Sequence, residues 1–402
     1  MDQSFLLKND VAIRLYENYA KDLPIIDFHN HLSMKDLSAD RRFEDLTALW
    51  LESDPYKHRL MRIMGIEERY ITGDASPYEK FEKFCAVFPD LAGTPVYDWG
   101  RMELFSIFGI DFLPCKETAR QIYEQAGVLL QKKEYSMRGI LSRFSIEYQS
   151  PVATLHEDLS LFHAAGVAPS LRGDDLLLAD LPSDLIDRLN AFEAAGCRFA
   201  DHSLDAGFFA CGNMDGLIAL SKEYAKRGWT LLLHMGALRK TSSRLAALAG
   251  PAGGYAAAGS GIPIEGLSAL LNRMEEEDAL PKTILFPLNL QDQAALAILE
   301  GSFSEDGVAA KVQLGPAWWW CDHAFGIRHS LNCISSFGVL SQFIGMTTDS
   351  RSPLSFIRHD YFRRLLCSWI SEQDFGQSEE QLGRLIRKIC YENAKRRIEH
   401  EK

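Results

Sequence analysis

The sequence predicts an α/β protein, a (β/α)8 TIM-type barrel with a helical insertion after its first strand. Three observations lead there. Eight short apolar runs recur along the chain with helical segments between most of them. Alternation of that kind implies parallel strands joined by helical crossovers, and eight is the number that closes such a barrel. No Gly-x-Gly-x-x-Gly follows the first run, which places the doubly wound open sheet second.

Taken in order, residues 1–22 read as a leading helix, with Val11, Ala12, Leu15 and Tyr19 at helical spacing. The first strand, 24–28, runs straight into His29-Asn30-His31. From Lys35 to Ser142 the pattern is helical, as in 43–64, 77–88 and 116–133, and this is the expected insertion. The other strands are expected at 144–148, 166–171, 197–200, 229–233, 282–288, 308–314 and 341–346, with helices at 184–195, 214–227, 264–277, 291–300 and 327–337. The expected division is 1–34 for the leading helix and first strand, 35–142 for the insertion, and 143–402 for the rest of the barrel with its C-terminal helices.

Composition narrows the function classes. The 402 residues are 47% hydrophobic and carry a net charge of −12 spread along the chain, which argues against a nucleic-acid surface and an anionic-membrane patch. No apolar run reaches the ~18 residues of a membrane span. The first residues lack a basic stretch followed by an apolar one, and the eight cysteines are scattered without a Cys-x-x-Cys pair. A cytoplasmic protein with reduced thiols is expected.

A barrel keeps its chemistry at the carboxyl ends of its strands. The polar residues expected there are Asp27, His29 and His31; Arg172 and Asp174; Asp201 and His202; His234; Asn289; Trp318 to Asp322; and Asp349 with Arg351. Alone, each has a plain structural reading. His234 could bond a backbone carbonyl, His202 could pair with Asp201, Arg172 with Asp174, and Asp349-Ser350-Arg351 could start a helix. One fold places them all at one mouth. Residues i and i+2 of a strand point the same way, so His29 and His31 converge, and Asp349 from the last strand supplies a third ligand for a divalent metal such as zinc. One acid ligand leaves net positive charge. With the forked guanidinium groups of Arg172 and Arg351 and the tryptophan faces nearby, a small polyhydroxylated acid is the expected ligand.

These residues resemble the uronate isomerase (glucuronate isomerase) family, a branch of the amidohydrolase-type barrels. The resemblance is carried by Pro-Ile-Ile-Asp-Phe-His-Asn-His-Leu (24–32), Asp-Pro-Tyr-Lys-His-Arg-Leu-Met-Arg (54–62), Gly-Val-Ala-Pro-Ser-Leu-Arg-Gly-Asp (166–174), Cys-Arg-Phe-Ala-Asp-His (197–202) and Leu-His-Met-Gly-Ala-Leu-Arg (233–239). Ala-Trp-Trp-Trp (317–320), Leu-Ser-Gln-Phe-Ile-Gly-Met-Thr-Thr-Asp-Ser-Arg-Ser (340–352) and His-Asp-Tyr-Phe-Arg-Arg-Leu-Leu-Cys (359–367) extend it towards the C-terminus. It implies aldose–ketose interconversion of a hexuronate, D-glucuronate with D-fructuronate or D-galacturonate with D-tagaturonate, by a homo-oligomeric cytoplasmic enzyme. It also implies His29, His31 and Asp349 as ligands of a divalent metal, zinc first among candidates, with Asp349, Arg351, Tyr56 and His234 catalytic. Arg172, Trp318, Trp319, Asp201 and His202 would line the substrate. Two places depart from the family pattern. Pro55 stands where many relatives carry a histidine, and Tyr148–Thr154 replaces a common Thr-Thr-Asp-Asp-Pro run.

The alternative expectations are a mononuclear metal-dependent hydrolase of the amidohydrolase type acting on a lactone or amide, and a non-catalytic binder of sugar acids. No lysine ends the fourth strand to bridge two metals, and Arg351 beside Asp349 suits an enediolate better than a leaving group.

Overall fold

Seven parallel strands form one curled sheet in which each strand pairs with the next in sequence. The computed structural model describes residues 4–399. The strands are β1 (Ile25–Asn30), β2 (Ile146–Thr154), β3 (Ser170–Arg172), β4 (Phe199–Leu204), β5 (Thr230–Met235), β6 (Lys282–Pro287) and β7 (Val312–Leu314). β1 and β5 are buried along their whole length, as parallel strands covered on both faces must be. A short two-stranded ribbon, Ala237–Leu238 with Ala257–Ala258, rises just beyond β5.

The eighth expected strand is corrected by the structure. Residues 340–342 form a single turn, and 343–350 run irregularly beside β1. Side chains satisfy the backbone there in place of a ladder. Gln313 Oε1 accepts from Ile344 N at 3.0 Å, and Asn393 Nδ2 donates to Ser341 O and Phe343 O. Gly345 turns at φ +85, where a Cβ would run into the carbonyl of Ile389. The segment still meets β1, through Asp349 N to His29 O at 3.1 Å and His31 N to Ser350 O at 2.9 Å.

Other boundaries shift modestly. The leading helix is Asp10–Leu15, capped by Asn9 and continued by a wider turn through Ala20, while residues 1–3 of the expected span lie outside the described residues. β2 runs on to Thr154 and β4 to Leu204, past their expected ends. Between β1 and β2 only helices occur among the described residues, including Pro55–Ile63, Pro77–Val87, Pro95–Phe108 and Ala119–Leu130. Three of them open alike. Asp54, Ser76 and Thr94 each accept a backbone N–H as N-cap, and proline follows at the first helical position, where its missing donor costs nothing.

Candidate active site

At the carboxyl end of β1, His29 and His31 turn toward one carboxylate. Asp349 Oδ1 lies 3.2 Å from His29 Nε2 and 3.0 Å from His31 Nε2. The three residues form a donor set that suits a metal ion. Asp349 holds this place with φ +45, a left-handed conformation that short polar side chains tolerate. Burial pulls the His31 imidazole down to about 4, which keeps it neutral with a lone pair to give. Burial also acts on His29, but Asp201 and Asp349 outweigh it and hold its pKa above the ordinary value. Burial would raise Asp349, yet its bonds to the two histidines carry it well below the usual carboxylate range.

Asp27 fixes this end of β1 from beneath. It is fully buried and receives Thr348 N at 2.7 Å, Thr348 Oγ1 at 2.9 Å, Asn30 Nδ2 at 2.8 Å and His359 Nε2 at 3.3 Å, with Thr347 Oγ1 2.9 Å away. The segment bearing Asp349 is thereby tied to the strand bearing both histidines.

β3, β4 and β5 supply the neighbouring wall. His234 Nδ1 sits 2.6 Å from Asp201 Oδ1, and its Nε2 is buried without a partner. His29, Asp201 and His234 form a second donor set that shares His29 with the first. Burial would raise Asp201, but His234, His29 and Arg172 hold it far below the ordinary carboxylate value. Arg172 pairs with Asp174 at 2.8 Å and with Asp201 at 3.5 Å. Arg239 pairs with Asp205 at 3.0 Å, donates to Ser203 Oγ at 2.9 Å and lies over the Trp319 ring. Arg351 is exposed and makes no ion pair among the described residues, so its guanidinium is free for an anion. Although the residue reaches solvent, desolvation of its guanidinium within the mouth lowers its pKa, with Arg172 and Arg239 adding to the effect and Asp349 opposing it.

The aromatic wall follows β7. Trp318 is buried against His234, ring centres 4.6 Å apart, with its indole N–H unpartnered. Trp319 adopts φ +47, a strained place for a bulky side chain and one that functional mouths tend to hold. It stacks on Trp320, whose N–H is also unpartnered. Tyr56, on the first turn of the helix Pro55–Ile63, meets Trp320 and Trp99 edge-on. Gly254 passes so close to that turn that a Cβ would strike the carbonyl of Pro55. A cavity of about 390 Å³, lined by His58, Lys80, Gly253 and Arg351 among others, opens beside Arg351.

Of the expected residues, His29, His31, Asp349, Asp201, His234, Arg172, Arg351, Trp318, Trp319 and Tyr56 thus belong to one connected region. His202 does not. It follows Asp201 on β4 and so faces the other way, bonding the Tyr224 hydroxyl at 3.0 Å. Trp320 and Asp322, expected at the mouth without an assigned role, join this region, and so do Arg239 and Arg358, which the sequence pattern did not assign to it. Arg239 carried a signal, standing five residues after His234 beyond a strand end.

Fold and donor set define a class: α/β proteins that hold a His/Asp cluster suited to a divalent metal at the carboxyl ends of a curled parallel sheet. The family model described as glucuronate isomerase matches residues 1–180 and 213–397, and the chain belongs to that family. A uronate isomerase of Geobacillus thermodenitrificans is 37% identical over 457 aligned positions, covering 98% of each chain. Those positions outnumber the 402 residues here, so the relative has residues this chain lacks. The crystal structure of a uronate isomerase from Thermotoga maritima superposes with a TM-score of 0.88 at 25% identity, covering 99% of each chain. A glucuronate isomerase from Caulobacter crescentus shares the fold, with a TM-score of 0.86 at 21% identity over 100% of this chain and 97% of its own.

Proposed function

We propose that this chain is a uronate isomerase that interconverts the aldose and ketose forms of a hexuronate, D-glucuronate, D-galacturonate or both. One observation carries the reading beyond family membership. A donor cluster with a single carboxylate is flanked by three arginines, Arg172, Arg239 and Arg351, and the last makes no ion pair among the described residues. That mouth suits an anionic, oxygen-rich substrate.

The donor set fits a divalent metal, since His31 is neutral and the three ligand atoms already converge; His29, His31 and Asp349 would hold it, and we read the metal as zinc. When bound it would supply Lewis acidity toward the oxygens at carbons 1 and 2. Isomerisation moves a proton from carbon 2 to carbon 1 and another from oxygen 2 to oxygen 1. Asp349 is assigned the carbon-bound proton, taking it from carbon 2 and returning it to carbon 1. Tyr56 is assigned the oxygen-bound proton, giving one to oxygen 1 and recovering one from oxygen 2. Arg351 stabilises the negative charge that develops on oxygen 1 as the proton leaves carbon 2, before Tyr56 protonates it. Arg172, Arg239 and the unpartnered N–H groups of Trp318 and Trp320 orient the carboxylate and hydroxyls, while His234 packs against His29.

The same reading takes 343–350 as the eighth stave of a (β/α)8 barrel and 35–142 as a helical insertion. It places a homo-oligomer in the cytoplasm. No helix among the described residues is long and apolar enough to cross a membrane.

The test is incubation with each hexuronate in heavy water. Ketose is expected from at least one, with deuterium at carbon 1 to the extent that Asp349 exchanges its proton with solvent. Absence of ketose from both, with folded metal-loaded protein, sinks the reading. Asp349→Asn is expected to lower kcat by about a thousandfold with metal content measured alongside. Full activity with metal retained would remove Asp349 as the base.

A further inference from the structure

Behind Tyr56 lies a buried charge network that the reaction, as derived so far, does not use. Arg358, on the helix Ile357–Ser371, is 2% exposed. Its guanidinium sits in the corner of two edge-on rings, 3.7 Å from the Trp99 ring centre and 5.0 Å from that of Tyr56. Asp322, itself 4% exposed, is its ion-pair partner, Oδ2 to Nη1 at 3.4 Å. The other acids nearby are committed elsewhere. Asp54 caps the helix of Tyr56 and bonds Lys57 Nζ at 2.7 Å, and Glu103 lies 3.7 Å from the same lysine while accepting from Trp50. Arg358 Nε, though buried, has no hydrogen-bond partner among the described residues. A fully buried arginine with an incompletely used fork is costly as scaffold alone.

The geometry points to Arg358, held in place by Asp322, as the positioning residue that fixes the Tyr56 hydroxyl and stabilises negative charge on it during proton transfer between the substrate oxygens. The inference rests on the proposed shuttle role of Tyr56. As the proton leaves carbon 2, the hydroxyl gives its proton to oxygen 1, and it is restored by the proton of oxygen 2 as carbon 1 is protonated. Between those events the phenolic oxygen carries excess negative charge in a dry site. The groups facing it are Arg358, Asp322, Asp349 and Arg351. Burial drives the Tyr56 pKa up, Arg358 opposes that by charge and as a hydrogen-bond donor, and Asp322 and Asp349 raise it further. Arg358 is thus the cation placed directly on the ring, and Asp322 sets how much of its charge the hydroxyl feels.

The experiment is a double-mutant cycle on the metal-loaded full chain, with whichever hexuronate the native protein turns over. Tyr56→Phe is expected to lower kcat by about 100-fold; no loss would overturn the shuttle and this inference with it, while leaving the isomerase activity standing. Arg358→Gln is expected to lower kcat by a similar factor with KM changed less than about threefold, and to add less than about threefold in the Tyr56→Phe background. An equal loss in both backgrounds would show that Arg358 does not act through Tyr56. Arg358→Lys, which keeps the cation, is expected to recover part of kcat, and a loss as deep as that of Arg358→Gln would count against the inference. Asp322→Asn removes the opposing charge, so the alkaline limb of the kcat profile should move to lower pH; an unmoved limb would overturn the role given to Asp322. These two conservative variants decide the matter if Arg358→Gln does not fold.

Discussion

Asp27 and Asp322 are both buried carboxylates beside the same mouth, and they are opposites. Asp27 has donors on both oxygens, from Thr348, Asn30 and His359. Burial would raise its pKa, but those bonds hold it below the ordinary value. Among the described residues the Asp322 carboxylate has one distant ion-pair contact, Arg358 at 3.4 Å, and burial pushes it up to about 7. A carboxylate whose lone pairs are all used is a fastener, here joining β1 to the segment that bears Asp349. One left short of donors beside a cation stores electrostatic imbalance, and that is found where a proton must move.

The largest effect that sharpens this contrast is on stability. Asp27→Ala strands the Thr348 amide, the Asn30 side chain and His359 in the interior, and is expected to cost about 3 kcal/mol in chemical denaturation. A midpoint unchanged from the native protein would break the comparison.

A smaller effect concerns pH. Folded, the Asp322 carboxyl keeps its proton to about 7; unfolded, it gives it up near 3.8. Within that window the folded chain binds the extra proton, so each rise in pH favours the unfolded state. The native protein should therefore lose stability relative to Asp322→Asn as pH rises from about 4 to about 7, and the difference should level off above. Parallel melting curves across that range would remove Asp322 as an under-satisfied group.

The smallest effect is expected at His202, buried and bonded but facing away from the mouth. His202→Gln should change kcat less than about threefold while lowering the melting temperature by about a degree or two. A large kcat loss at full stability would show that the outward face of β4 reaches the chemistry.

Much of the site was legible because two periodicities are local. Strand alternation put His29 and His31 on one side, and the apolar runs marked where strands end, which brought Arg172, Asp201 and His234 to the same edge. The same alternation separates His202 from Asp201 once the strand's facing is known, but facing depends on which side the core lies, and adjacent residues in a sequence do not say. The eighth expected strand shows the opposite failure. Residues 341–346 have strand-like composition, yet Gln313 and Asn393 take up backbone groups that a ladder would have used. Those partners come from 31 and 50 or more residues away, beyond any local pattern.

The sequence by itself determined the alternating α/β chain, the His-x-His at the end of the first strand and the acid-and-arginine pair at 349–351, because each is written within a few neighbouring residues. Only the tertiary structure decided that Asp349 meets both histidines through one oxygen. It also decided that Arg239 joins Arg172 and Arg351, and that Tyr56 rests on Arg358, itself paired with Asp322. Each of these is a meeting of side chains hundreds of residues apart or on different elements, set by how strands and helices pack and by which buried charges find partners.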